Sequence, residues 1–169
     1  IIHSAAASNL GQMLQKLCLA DGIPLINIVR SQEQADILRK IGATYVLNSR
    51  DADFRDALTD AVAETGATIA FDAIGGGPLA TQIIQSMERV AVSRMTDYNR
   101  YGSEVFKQLY VYGVLDPAPV VLDRLSFGFE WSVSGWLLMP FLRKAGKEVS
   151  ARLRQRVVDE LTTTFQSHY

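Results

Sequence analysis

The sequence predicts an α/β protein built on a doubly wound, mostly parallel six-stranded sheet with helices on both faces. Short apolar runs rich in branched residues alternate along the chain with amphipathic patterns of helical period. Serine or glycine marks several ends of these helical patterns, as at Ser31, Gly42 and Gly66. Such alternation favours parallel strands joined by right-handed crossover helices.

The first half of the chain carries the clearest pattern. It opens on Ile1 and Ile2, which are typical of the end of a strand, and a turn of small residues then leads into a helix. This helix is predicted to bury Leu10, Met13, Leu14, Leu17 and Cys18. The next elements are expected at 25–29 (strand), 32–41 (helix, with Ala35, Ile37, Leu38 and Ile41 inward), 45–47 (strand), 53–65 (helix) and 69–71 (strand).

The second half begins with three glycines that follow the fourth strand. Gly75, Gly76 and Gly77 carry no side chains, so the backbone there is expected to approach a ligand closely before a helix starts near Pro78. The polar stretch 93–104 is interpreted as a loop or lid. Further strands are expected at 109–112 and 131–136. A last helix is expected at 148–165, with Arg152, Arg154 and Arg156 on a solvated face.

Composition limits the class of partner. The chain has 169 residues, 48% of them hydrophobic, which suits one well-packed domain over residues 1–169. Its net charge is −1 at pH 7 and no dense basic stripe is visible, which argues against nucleic acid or an anionic membrane as the main partner. Small molecules are therefore the favoured partners.

Cysteine content and the termini bear on location. A single cysteine, Cys18, excludes an internal disulfide and a multi-cysteine zinc cluster, and no metal site is predicted. No signal peptide and no membrane-spanning apolar run are visible, so a cytoplasmic protein is expected. Because the chain lacks an initiator Met, we expect a fragment or a trimmed domain.

The turn after the first strand is typical of a phosphate-binding site. In IIHSAAASNLGQ the three small positions are held by Ala6, Ser8 and Gly11, a degraded GxGxxG. Small residues are needed there because backbone amides must approach a pyrophosphate at the N-terminus of the following helix. The pattern predicts a dinucleotide-binding Rossmann fold.

The end of the second strand indicates which dinucleotide is bound. An acidic residue at this position would accept hydrogen bonds from a ribose diol and would repel a 2′-phosphate. This chain has Arg30 and Ser31 there, and both can donate to phosphate oxygens, which favours NADP(H) over NAD(H). Methyl transfer with an adenosyl cofactor is disfavoured for the same reason, and a short-chain reductase because no Tyr is followed four positions later by Lys.

These segments resemble the medium-chain dehydrogenase/reductase superfamily, specifically its quinone-oxidoreductase-like and zinc-independent alcohol-dehydrogenase-like members. HSAAASNLGQ, NIVRSQEQADILRKIGATYVLNS, AFDAIGGG and YVYG carry the resemblance in this order, and it covers most of the chain through Leu115. The resemblance implies that the chain is the cofactor-binding domain alone, without the N-terminal catalytic domain. The cofactor-binding residues that it implies, together with the turn, are Ala6, Ser8, Asn9, Gly11, Arg30, Ser31, Gln34, Asn48, Ala73, Ile74, Gly75, Tyr112, Gly113 and Val114.

The resemblance also implies a reaction and a partner. The reaction is hydride transfer from NADPH to a carbonyl, enone or quinone, and the partner is a second copy paired through the last strand, around Trp131 to Trp136. A non-catalytic module that senses NADP(H) or acts as a scaffold is the alternative. The catalytic residues stay unassigned.

Several single residues invite a catalytic interpretation that the pattern does not favour. Tyr98, Tyr101 and Tyr112 could each protonate a product, but such rings are more often packing groups. His3 is expected to be an ordinary strand-end histidine and His168 a surface residue. Asp72 is expected to cap backbone at the sheet edge. Trp131, Trp136 and Phe141 are expected to fill the core or a subunit contact.

Overall fold

A computed structural model describes residues 1–166, and within them the chain forms a six-stranded parallel sheet flanked by helices. The strands are β1 (Ile2–His3), β2 (Ile26–Val29), β3 (Tyr45–Asn48), β4 (Ile69–Asp72), β5 (Lys107–Val111) and β6 (Trp131–Gly135). The helices are α1 (Asn9–Ala20), α2 (Gln32–Lys40), α3 (Phe54–Thr65), α4 (Leu79–Ser93) and α5 (Leu138–Asp159). His168 lies outside the described residues. The predicted fold class is confirmed.

The strand order creates a crevice at one edge of the sheet. The order is β3-β2-β1-β4-β5-β6, so β1 pairs with β2 on one side and with β4 on the other. All strands are parallel, which brings their carboxyl ends to the same edge. The connections that leave β1 and β4 diverge there, and ligands of open α/β sheets bind at such a switch point.

Two apolar clusters cover the two faces of the sheet. One joins Ile2, Ile28 and Leu109 to α3 and α4, while the other joins Val29 to the inner side of α2. The predicted caps of the first half are confirmed: Ser31 begins α2, accepting from the N–H of Gln34, and Gly66 ends α3 with a left-handed φ of 66°.

The predicted inward face of α1 is confirmed at Cys18 but was wrong for most of its other residues. Leu10 is 54% exposed and Met13 and Leu14 are half-buried, whereas Gly11, Gln15 and Cys18 face the sheet. Gln15 is buried because its amide oxygen accepts a hydrogen bond from Asn27 on β2 at 2.7 Å. A polar pair therefore replaces the apolar contact that hydrophobic periodicity predicted. Ile37 on α2, also predicted inward, is 40% exposed.

The 94–106 segment is a loop, as predicted, but the lid interpretation was wrong. It joins the end of α4 to the start of β5 and so lies at the amino edge of the sheet, away from the crevice. The buried carboxylate of Glu88 holds it there, accepting from the backbone N–H of Ser103 at 2.7 Å and pairing with Lys107. β5 starts two residues before the predicted 109 because Lys107 and Gln108, both polar, are buried in the strand.

The last helix begins ten residues before the predicted 148. α5 contains Gly146 at φ 87° and ψ 172°, a kink that divides it into two helical parts. The expected apolar stripe does not reach the core, since Leu153, Val157 and Leu161 are each more than a third exposed. Arg156 is not simply solvated: its guanidinium donates two hydrogen bonds to Asp21, each at 2.8 Å. Among residues 1–166, no helix combines the length and apolar character that a membrane span requires.

Candidate cofactor-binding site

The turn after β1 has the geometry of a phosphate-binding turn. Ala5 adopts a left-handed φ of 49°, and the Ala6 N–H donates to Ile28 of β2 at 3.2 Å. Ser8 caps α1, its hydroxyl accepting from the N–H of Gly11 at 3.2 Å. A Cβ at Gly11 would lie 2.1 Å from the carbonyl oxygen of Ala6, so only glycine allows the helix to pack this closely on the turn.

This turn leaves backbone donors free for an anion. Within residues 1–166 the N–H groups of Ala7, Asn9 and Leu10 have no acceptor. All three residues are partly or largely exposed, and two of them form the first turn of α1, where the helix dipole places partial positive charge. The donor set therefore fits a pyrophosphate.

Three further donors lie at the end of β2. Arg30 is exposed, and its side chain makes no hydrogen bond or ion pair within the described residues. The hydroxyl of Ser31 accepts from Gln34 N–H at 3.3 Å and keeps its own proton to donate. The side-chain oxygen of Gln34 accepts from Arg30 N–H at 3.0 Å, and its NH₂ group has no acceptor within the described residues.

Two other polar residues border this group of donors. Glu33 is an exposed carboxylate in the first turn of α2. Asn48, at the end of β3, is engaged in its own loop: its NH₂ group donates to Asp51 at 2.7 Å and its oxygen accepts from Arg50 N–H at 3.2 Å. The contribution of Asn48 to an adenosine site stays a prediction.

Asp72 organises the exit of β4, and the backbone-capping role predicted for it is confirmed. Its carboxylate, 1% exposed, accepts from the N–H of Ile74 at 2.9 Å and of Gly75 at 3.1 Å. The Ser4 hydroxyl donates to the same carboxylate at 2.5 Å and accepts from the N–H of Ala73 at 2.8 Å. Ser4 lies next to the phosphate-binding turn, so this network joins the two sides of the crevice. Sequence reasoning missed Ser4, because a lone serine after a strand carries no signal.

The glycines after β4 differ from the expectation. A Cβ on Gly75 would lie 2.6 Å from the carbonyl oxygen of Gly113, and a Cβ on Gly113 would lie 2.4 Å from that of Ala73. The N–H of Asp116 donates to Ile74 at 2.9 Å. The small residues thus let the chain segments that follow β4 and β5 pack against each other. The space beside these glycines is therefore filled by the protein's own backbone, and not by a ligand as expected. Val114, 76% exposed, follows this contact.

His3 and Tyr112 form a buried pair on the same edge. His3, the last residue of β1, is fully buried, and its Nε2 lies 2.6 Å from the Tyr112 hydroxyl, with the rings stacked. Burial lowers the pKa of His3 to about 4, while burial and the Asp72 carboxylate raise the pKa of Tyr112 to about 12. Both groups are therefore neutral near pH 7, and His3 Nδ1 has no partner in the described part of the chain.

The remaining aromatic candidates lie elsewhere. Tyr98 and Tyr101 belong to the 94–106 loop at the amino edge, so neither can protonate a product in the crevice. Trp131 packs edge-on against the buried Phe127, with centroids 5.1 Å apart. Trp131 thus packs on the core, as predicted. Trp136 packs against Phe71 and Phe141, but Phe141 is 40% exposed, so a subunit contact there stays a prediction. The described residues contain no cluster of three His, Cys, Asp or Glu side chains arranged to hold a metal ion.

The strand order, the glycine-dependent turn and the free amides at α1 define a Rossmann-type domain. The sequence profile of the zinc-binding dehydrogenase family matches residues 10–93. The chain belongs to the medium-chain dehydrogenase/reductase superfamily and represents its cofactor-binding domain. The predicted resemblance is thereby confirmed. A search of curated proteins gave no significant match.

Solved structures share the fold over the whole chain. A protein from Mesorhizobium loti, provisionally assigned as an NADPH:quinone reductase, superposes with a TM-score of 0.76 at 26% identity, covering 98% of this chain and 44% of that one. The mitochondrial 2-enoyl thioester reductase heterodimer Etr1p/Etr2p from Candida tropicalis gives 0.73 at 16% identity, over 99% and 44%. Etr1p in complex with NADP and crotonyl-CoA gives 0.68 at 16% identity, over 98% and 43%. This chain thus spans less than half the length of these proteins.

Proposed function

We propose that this chain is the cofactor-binding domain of an NADPH-dependent oxidoreductase that reduces a carbonyl, enone or quinone. The observation that carries the proposal is the pairing of two anion sites across β1 and β2: free amides at the start of α1, and the unpaired Arg30 with Ser31 and Gln34 at the start of α2. Their separate positions fit the pyrophosphate and the 2′-phosphate of one dinucleotide. The names of the structural neighbours, which include NADPH:quinone reductase and a complex with NADP, support the same cofactor class.

Each side of the crevice would have its own role. The amides of Ala7, Asn9 and Leu10 would bind the pyrophosphate, and Arg30, Ser31 and the Gln34 amide would bind the 2′-phosphate. When bound, NADPH would supply the hydride. The exits of β4 and β5, where Asp72 fixes the backbone of residues 73–75, would border the nicotinamide and fix its orientation.

A substitution at Arg30 tests the cofactor preference. We expect Arg30→Asp to weaken NADPH binding by about 1.5–3 kcal/mol, the range for hydrogen bonds to charged groups, because it removes a donor and adds a repelling carboxylate. NADH affinity should stay within a factor of about two, since NADH has no 2′-phosphate. Titration followed by nicotinamide fluorescence measures both.

Arg39→Asp is the matched control, because it makes the same charge change near the other end of α2. It should leave NADPH affinity unchanged. Equal affinities of the unsubstituted chain for NADPH and NADH would contradict the proposed preference.

Turnover is tested separately, by assaying the longest natural form of the protein for NADPH oxidation with quinones and enones. An absence of turnover would favour a sensing or scaffolding role.

We also propose that the chain forms a homodimer through β6. This strand pairs with β5 alone, so its other side is an edge within the described residues. The N–H of Trp136 donates to Val111 of β5, and the alternation along a strand then directs the N–H of Val133 outward. An unpaired edge of this kind favours strand addition. Sedimentation velocity should show a dimer that Val133→Pro converts to a monomer, and a monomeric unsubstituted chain would refute the proposal.

A further inference from the structure

A groove on the outer side of α4 contains polar groups that the proposed cofactor site does not use. It has a volume of about 800 Å³ and lies between α3, α4, the 94–106 loop and the short helical turn Arg124–Ser126. Volumes of this size are typical of small-molecule sites. α3 and α4 cover the face of the sheet opposite α2, so the groove is separate from the cofactor crevice.

Four guanidinium groups line this groove, which we call the arginine groove; they belong to Arg55, Arg89, Arg100 and Arg124. All four residues are exposed. The Arg124 side chain makes no hydrogen bond or ion pair within residues 1–166, and Arg55 donates only to a neutral amide, that of Gln85, at 2.6 Å. Arg89 reaches Asp56 at 3.4 Å, but this carboxylate is 82% exposed, and such pairs are weak.

The arginine groove contains no free carboxylate among its lining residues. The one carboxylate among the lining residues is Glu88, which is buried and paired with Lys107. The groove therefore concentrates positive charge on a chain whose net charge is −1. Guanidinium groups in a concave surface attract phosphate groups, which they can bind in bidentate fashion.

Aromatic rings lie beside these cations. Tyr98 is 93% exposed, Tyr101 60% and Phe129 47%. The rings of Tyr101 and Phe129 are 5.5 Å apart between centroids, and the Arg100 guanidinium lies 4.8 Å from the Tyr101 centroid. Exposed rings next to guanidinium groups provide a stacking surface for a nucleobase, whose phosphate the arginines can then reach.

We propose that the arginine groove is a second ligand site, which binds a nucleoside phosphate. The base stacks on Tyr101 and Phe129, and the phosphate contacts Arg100 and Arg124. The proposal does not depend on the cofactor proposal, because the two sites share no residue.

Titration of the chain with UMP at low ionic strength tests this site. UMP carries a base and a phosphate but no adenine, so it separates the groove from an adenosine pocket. We expect saturable binding, with NMR amide shift changes confined to the residues around the arginine groove, the largest of them in 94–106 and 124–129. The double variant Arg100→Gln/Arg124→Gln should bind UMP at least about tenfold more weakly, since each lost contact is a hydrogen bond to a charged group. The lysine pair Arg100→Lys/Arg124→Lys should retain most of the binding, because it keeps the charge.

Two controls separate the groove from general charge effects. Lys40→Gln/Arg152→Gln removes the same charge from exposed positions outside the groove and should bind UMP normally. Arg30→Gln should lower NADPH affinity and leave UMP binding intact, so the cofactor proposal can fail without affecting this one. The inference would be overturned by an absence of saturable UMP binding, by shift changes that map to the turn after β1, or by an equal loss of binding in the Lys40/Arg152 control.

Discussion

Asp72 and Glu88 are both buried carboxylates, yet they stabilise opposite ends of the sheet by different means. Asp72, at the carboxyl edge, accepts only from neutral donors: two backbone N–H groups and the Ser4 hydroxyl. Glu88, near the amino edge, is paired with the buried ammonium of Lys107. The carboxyl edge is thus fixed by neutral donors, and two of its backbone amides, those of Ile74 and Gly75, are engaged by Asp72. No cation is used up beside Asp72, whereas the ion pair at Glu88 serves to hold the 94–106 loop.

The largest effect should follow from removing the cation of the amino edge. Lys107→Met leaves Glu88 buried without a counter-charge, and breaking a buried pair in this way costs about 3–5 kcal/mol of unfolding free energy. Urea denaturation measures the loss. The double variant Glu88→Gln/Lys107→Met should recover at least half of it, because no buried charge remains. A loss below about 1 kcal/mol would show that the ion pair does not hold this edge together.

Acid should weaken the carboxyl edge through His3. The pKa of His3 is about 4 in the folded chain and about 6.5 when exposed, so between these values the unfolded state binds more protons. Stability conferred by neutral His3 is complete above pH 6.5 and falls as the pH drops toward 4, by up to about 3 kcal/mol.

The control for this pH dependence is His3→Asn, which cannot titrate. Its unfolding free energy should lose most of the slope between pH 6.5 and pH 4.5. Tyr112→Phe removes the hydrogen bond but keeps His3 buried, so its slope should remain. An unchanged slope in His3→Asn would assign the acid sensitivity to other groups.

A smaller effect is expected from Asp72→Asn. The new NH₂ group would face a backbone N–H, donor against donor, where a carboxylate oxygen now accepts, and a buried unsatisfied donor costs about 1–3 kcal/mol. Because the 73–75 backbone would move, NADPH affinity should fall as well, whereas Lys107→Met should leave the affinity of the folded fraction unchanged. Fluorescence titration and urea denaturation of both variants test this contrast. If both lose affinity equally, the two edges are not independent.

The carboxyl edge was far easier to predict from sequence than the amino edge. Ser31 was identified as a cap because it interacts with its own helix, and the alternation of strands and helices fixed the order of elements. The burial of Lys107 and Glu88 is a long-range pairing with no local signal, so β5 was placed two residues late. Similarly, the four arginines of the arginine groove lie far apart in the chain and form no basic run.

The smallest effect concerns the electrostatic fit of the carboxyl edge. Glu33 lies in the first turn of α2, beside Ser31 and Gln34. Its carboxylate interacts favourably with the helix dipole there but would repel a 2′-phosphate. Glu33→Gln should therefore raise NADPH affinity by about two- to threefold at low salt, in the range of exposed charge pairs, and less at high salt. NADH affinity should not change. The control Glu104→Gln makes the same change at the amino edge and should have no effect on NADPH affinity. An equal gain in this control would show that the net charge of the protein, and not the position of Glu33 beside Arg30, causes the change in affinity.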